Sequence, residues 1–225
     1  MAIDTSEYHL LINELAARKV RLVAVSKTKP PADILALYTI GQRDFGENYV
    51  QELVDKHARL PSDIQWHFIG HLQSNKVKYL APFVHLIHGV DSFKLLKEIN
   101  KQAAKCNRII DVLLQIHIAR EETKFGLDES ELDELLASPD LSALKNVRIC
   151  GLMGMASFSD DKDLVRDEFK MLKVIFESKK HIQTPNFKPE TLSMGMSGDY
   201  KVAIEEGSTM VRIGSLLFGA RQYNS

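Results

Sequence analysis

The chain carries 225 residues, and three of its segments place reactive or anion-holding groups where a plain core would not choose them. The first is residues 23–30. Val23 and Val25 alternate with Lys27 along one face of an extended run, and Lys29 and Pro30 follow. A lysine on such an apolar stem must be paired or neutral. A neutral amine there attacks a carbonyl carbon and forms a Schiff base. At a reference pKa of about 10.4, well under 0.1% of the amine is free at pH 7. Desolvation and a nearby cation would lower that pKa, and Lys29 and Arg212 are the candidate cations. The alternative is a pair of solvated lysines in a surface loop.

The second and third segments are Ser193, Met194, Gly195, Met196, Ser197 and Gly198, then Arg212, Ile213, Gly214 and Ser215. Each joins glycine and a small hydroxyl to the start of a helical pattern. Backbone N–H groups at a helix start, with the positive end of its dipole, hold phosphate. Turn and cap formation is the other use of the same residues. Arg212 lies among Met210, Val211 and Ile213, so its guanidinium needs an acceptor. A ligand heteroatom and the carboxylate of Glu205 are the two candidates.

Other polar residues are less specific. Asn48 could donate to a ligand or cap a helix. His67, between Trp66 and Phe68, reads as a packed, hydrogen-bonded histidine. Gln73, Ser74, Asn75 and Lys76 read as a polar helix start or a partner surface, and Lys124 as a solvated side chain near the mouth. A metal site is not expected: His85 and His88 would face opposite sides of one strand, and neither H-E-x-x-H nor C-x-x-C occurs.

The elements that must position these groups alternate. Short β-branched or apolar runs fall at 21–26, 44–46, 65–70, 84–90, 109–118, 147–153, 191–194 and 210–213. Helical patterns lie before the first run, at 6–18, and between the others. Asp128 and Glu131 read as a capping box, and Ser92 as an N-cap. Eight strand–helix units of about 28 residues point to an α/β fold, a (β/α)8 TIM barrel forming one domain over 1–225. The rival is a doubly wound sheet, but neither a G-x-G-x-x-G nor a Walker motif is present. In a barrel the glycine and serine segments follow strands seven and eight, where phosphate sites recur.

Charge narrows the function classes. Twenty-nine basic residues against thirty acidic ones leave a formal charge of −1, so no global electrostatic footprint for nucleic acid exists. No stretch is long and apolar enough to span a membrane. Two cysteines and an acidic, non-apolar start predict a cytoplasmic protein without a signal peptide.

Residues 23–30, 45–52, 66–70 with 73–76, 151–153, 192–197 and 211–215 with 218–221 together resemble the pyridoxal phosphate homeostasis proteins, in order and over nearly the whole chain. The resemblance implies a fold-type III barrel like the N-terminal domain of alanine racemase. It implies pyridoxal 5′-phosphate (PLP) bound as a Schiff base on Lys27, with the phosphate on Ser193, Met194, Gly195, Met196, Ser197, Gly214 and Ser215. Arg212 would face the pyridine nitrogen and Asn48 would lie near the ring. Ser215 stands where the family often has threonine, and His71 where bacterial members often have proline.

The implied role is a monomeric, non-enzymatic PLP carrier that buffers the cofactor or supplies it to PLP-dependent apoenzymes. An amino-acid racemase is the alternative. It needs acid–base groups on both faces of the α-carbon. Related racemases bring one such tyrosine from a second, β-rich domain, for which the sequence after the eighth strand leaves no room. An aldolase-like barrel using Lys27 on a phosphorylated sugar is a third class.

Overall fold

The computed structural model describes residues 5–121, 125–182 and 184–219. Lys124 lies outside them. Eight parallel strands close a barrel in sequence order: β1 (Arg21–Val25), β2 (Asp44–Glu47), β3 (Gln65–Phe68), β4 (Leu86–Val90), β5 (Ile110–Ile116), β6 (Val147–Gly154), β7 (Phe187–Met196) and β8 (Met210–Ile213). The seam joins the two ends of the chain, with Arg21 opposite Met210 and Val23 opposite Arg212.

Around the barrel run α1 (Thr5–Ala17), α2 (Pro31–Thr39), α3 (Val50–His57), α4 (Val77–Leu80), α5 (Phe93–Lys105), α6 (Glu129–Ala137), α7 (Lys162–Lys179), α8 (Tyr200–Glu205) and α9 (Ser215–Phe218). Pro31 opens α2, where its missing N–H costs nothing. Ser92 accepts from the Leu95 N–H at the start of α5, and Asp128 and Glu131 form both halves of a capping box on α6. None of the described helices is long and apolar enough to cross a membrane.

Strand pleating splits the side chains between two cores. Outward residues such as Ala24, Phe45, Trp66, Ile87 and Leu192 pack under the helices. Inward residues Val23, Leu86, Leu113, Met153 and Met210 form a small layer inside the barrel. The rest of that interior is polar: His67, His88, Ser193 and Arg212 are all buried.

β3, β4 and β5 are shorter than the runs at 65–70, 84–90 and 109–118, and two further elements start elsewhere than expected. β7 begins at Phe187, four residues before the run at 191–194, because its first half alternates exposed Lys188 and Glu190 with buried Phe187 and half-buried Pro189 and Thr191. The helix expected from residue 48 begins at Val50, after a bend at Asn48, since Tyr49 is the N-cap in β conformation.

Candidate binding site at the barrel mouth

Lys27 sits half-buried in the turn that leaves β1, two residues beyond Val25. That turn is held from beneath by a buried ionic cluster. Glu47, the last residue of β2, is fully buried and accepts from the Ser26 hydroxyl at 2.6 Å and from Lys56 Nζ at 2.7 Å. Lys56 also donates to the Ser26 carbonyl at 2.8 Å and to Glu52 at 2.7 Å. Glu52 in turn accepts from the Thr28 N–H at 2.6 Å. Thr28 has a left-handed φ of 66°, which closes the turn tightly. Residues on both sides of Lys27 are therefore fixed by α3. Burial pushes the Glu47 carboxyl up, and Lys56 opposes that shift.

The other wall of the seam comes from β7 and β8. Gly195 has a φ of 96°, and a Cβ there would lie 2.6 Å from the Ala203 Cβ, so only glycine fits between β7 and α8. The Gly214 N–H donates to the Ser197 hydroxyl at 3.2 Å, which ties the loops after β7 and β8 together. Gly214 also lies against Val25: a Cβ would meet the Val25 carbonyl at 3.0 Å. The loop after β8 thus abuts the strand that leads to Lys27. Lys29 reinforces the contact by donating to the Phe218 carbonyl at 2.8 Å, at the end of α9.

Arg212 lies in the barrel interior, two residues above Met210. Its Nη1 donates to the Ser193 carbonyl at 2.9 Å and hydroxyl at 2.6 Å, and its Nη2 to the Gly154 carbonyl at 3.0 Å. The guanidinium keeps its Nε–H and one Nη2–H beyond these bonds. Burial lowers its pKa to about 10, so it remains a cation at neutral pH. Glu205 is not its partner; that carboxylate pairs with Arg166 at 2.6 Å on the outside.

The residues after β7 divide. Ser193 is buried against Arg212 inside the barrel, and Met194 faces the outer core. Gly195, Met196 and Ser197 form the rim. The Met196 N–H donates to Asp199 at 2.5 Å. Asn48 lies on the opposite rim after β2, lining a groove of about 640 Å³ with Tyr49, Phe68, His71, Lys76 and Tyr79. His71 stacks on Phe125 at 4.1 Å and pairs with Asp91 at 3.2 Å.

Sequence reasoning missed the Ser26–Glu47–Lys56 cluster. A glutamate closing an apolar strand, with a lysine one helix later, was the available signal. It also misplaced His85, which precedes β4, so strand alternation does not govern it. At the end of the barrel opposite the mouth, Asp44, His67 and His85 each bring one donor atom within 4.8 Å of the others. The Arg21 charge acts on all three and disfavours a further cation there.

A closed parallel barrel with a lysine on the first turn and a buried arginine on the last strand defines a class of proteins. The model of the alanine racemase N-terminal domain matches residues 9–222. The pyridoxal phosphate homeostasis protein of Aquifex aeolicus is 44% identical over 205 residues, covering 90% of this chain and 88% of the relative. The structure of PipY from Synechococcus elongatus without PLP superposes with a TM-score of 0.88 at 36% identity, covering 95% of this chain and 99% of PipY. PipY with PLP bound superposes with a TM-score of 0.85 at the same identity and coverage. The chain belongs to the alanine racemase N-terminal domain family and, within it, to the pyridoxal phosphate homeostasis proteins.

Proposed function

We propose that the protein binds PLP at the barrel mouth and serves intracellular PLP homeostasis, buffering the cofactor or supplying it to PLP-dependent apoenzymes without strong catalysis of its own. The observation that carries this reading is the seam. A lysine-bearing turn, a pair of glycine–serine loops and a buried guanidinium converge there from β1, β7 and β8.

The residues fit the group. PLP supplies an aldehyde, a ring nitrogen and a phosphate. Lys27 is the amine for the aldehyde, on a turn whose backbone is already fixed by Glu52 and Lys56. Ser197, Ser215 and the loops at Gly195, Met196 and Gly214 form the phosphate side, where the Ser215 and Leu216 N–H groups open α9; the Leu217 and Phe218 N–H groups go to the Gly214 carbonyl and the Gly214 N–H to Ser197. Asp199, which holds the Met196 N–H, must yield that donor or leave it outside the phosphate shell. Ser193 and Met194 act indirectly, one through Arg212 and the other as packing.

Arg212 would present a fixed positive charge to the ring nitrogen; a proton there would set two cations together, so this residue would disfavour protonation of the nitrogen and weaken the ring as an electron sink. That suits holding the cofactor over driving proton abstraction from a bound amino acid. The homeostasis naming of the Aquifex relative supports the same choice over a racemase. Asn48 and the adjoining groove would contact the ring's open edge and give a recipient access to it. The monomeric state and cytoplasmic location belong to this reading.

Borohydride reduction of the PLP-treated protein followed by peptide mass spectrometry tests it. The expected adduct is on Lys27. An adduct elsewhere, or none, would overturn the assignment. Steady racemisation of alanine or serine by the pure protein would favour the enzyme over the carrier.

A further inference from the structure

Arg212 does not end at Ser193. The Ser193 hydroxyl lies 3.2 Å from His88 Nδ1, His88 Nε2 lies 2.9 Å from His67 Nδ1, and His67 Nε2 lies 2.9 Å from Asp44 Oδ1. The chain of contacts runs through the barrel from the last strand to the end opposite the mouth. Ser193, His67 and His88 are fully buried.

Donor and acceptor chemistry gives this chain one direction. A guanidinium only donates and a carboxylate only accepts, so the Ser193 oxygen accepts from Arg212 and Asp44 accepts from His67 Nε2; with both rings neutral, His67 Nδ1 and His88 Nδ1 are acceptors, and the Ser193 hydrogen goes to His88 Nδ1. His88 then carries its proton on Nε2 and donates to His67 Nδ1. His67 carries its proton on Nε2 and donates to the Asp44 carboxylate. Both rings are neutral in this arrangement. Burial favours that state, holding the His67 pKa below its ordinary value and the His88 pKa well below it. Burial works against the ionised Asp44 carboxyl; the hydrogen bond from His67 and the Arg21 charge oppose it.

We propose that Ser193, His88, His67 and Asp44 are positioning residues for Arg212: a unidirectional hydrogen-bond wire that orients the guanidinium and brings its counter-charge from the far end of the barrel. Its effect on a cofactor rests on the reading that Arg212 faces the PLP ring; the wire itself does not. No proton needs to cross it. The charged and titratable groups around it are Arg21 on β1, His85 before β4, Asp111 on β5 with its partner Arg148 on β6, and Asp199 beyond β7. Each stays as it is in the variants below.

The test has two arms. Nitrogen-15 NMR of the cofactor-free protein is expected to show His67 and His88 neutral from pH 6 to 8, each bare at Nδ1 and protonated at Nε2. A proton on Nδ1 of His88, or a cationic ring, would overturn the wire. In the second arm, PLP-loaded wild type, Asp44→Asn, His88→Leu and His88→Gln are titrated by visible absorbance. The midpoint of Asp44→Asn should fall, because a negative charge that favours the protonated cofactor is removed. His88→Leu should fall as well, because the Ser193 hydrogen loses its acceptor. His88→Gln should return toward wild type, since its amide accepts from Ser193 and donates to His67. Identical midpoints in all four proteins would overturn the link to the cofactor. Should wild type take up no PLP, the binding reading fails by itself and the nitrogen spectra decide the wire.

Discussion

Lys56→Met tests whether the turn bearing Lys27 is held by the charges beneath it. The substitution keeps most of the apolar stem and removes an ammonium whose side chain is only 6% exposed. Three bonds go with it, to Glu47, Glu52 and the Ser26 carbonyl. Glu47 keeps only the Ser26 hydroxyl. Its Oε2 already has no partner, so the remaining charge is poorly compensated. Removing one partner of a buried pair costs about 3–5 kcal/mol. For a chain of this length each kcal/mol moves Tm by about 2–4 °C, so a fall of about 6–20 °C is expected in thermal unfolding. Glu47→Gln combined with Lys56→Met removes both charges and should regain most of the loss. PLP uptake, followed by absorbance below the transition, should be slower in the single variant, because the carbonyl and N–H flanking Lys27 lose their anchors. A single variant within about 2 °C of wild type, or a double variant no better than the single, would refute the reasoning.

Three further outcomes are expected. Lys27→Ala should lose the reducible PLP adduct while keeping a single cooperative thermal transition, since the backbone of its turn is held by Glu52 and Lys56; mass spectrometry and melting curves check both halves. Arg212→Gln should lower PLP retention and change the pH dependence of the bound spectrum, and an unaltered titration would count against Arg212 facing the ring. Stability should fall as pH drops below about 6.5. His67 and His88 have depressed pKa values in the fold, so the unfolded chain binds more protons there, and each histidine costs up to about 1 kcal/mol between pH 6.5 and 5.5. Urea titrations at the two pH values measure this, and His88→Gln should show the shallower slope.

The barrel was legible because period-2 runs and their spacing survive in the sequence. Met210–Ile213 is the predicted strand, and the Asp128–Glu131 box is present with both of its bonds. Lys27, Gly214 and Arg212 could be singled out because a lysine, a glycine and an arginine are anomalous in apolar strand ends. Their mutual placement follows from closure of β8 onto β1, which the unit count implied. The wire was not legible. Ser193 and His88 are 105 residues apart, and nothing local tells a buried histidine which neighbour it meets across a barrel. Arg212 turned to Ser193 instead of Glu205 because α8 directs Glu205 outward to Arg166.

The clasp between Lys29 and the Phe218 carbonyl joins residues 189 positions apart. A nascent chain carries its amine-bearing turn from the first strand onward, yet lacks the loops facing it until the eighth strand has been made and docked. Long-range closure of this kind comes late in folding. Any ligand that needs both walls must therefore wait for the eighth strand to dock, and its capture would time the moment at which the ring of strands is complete.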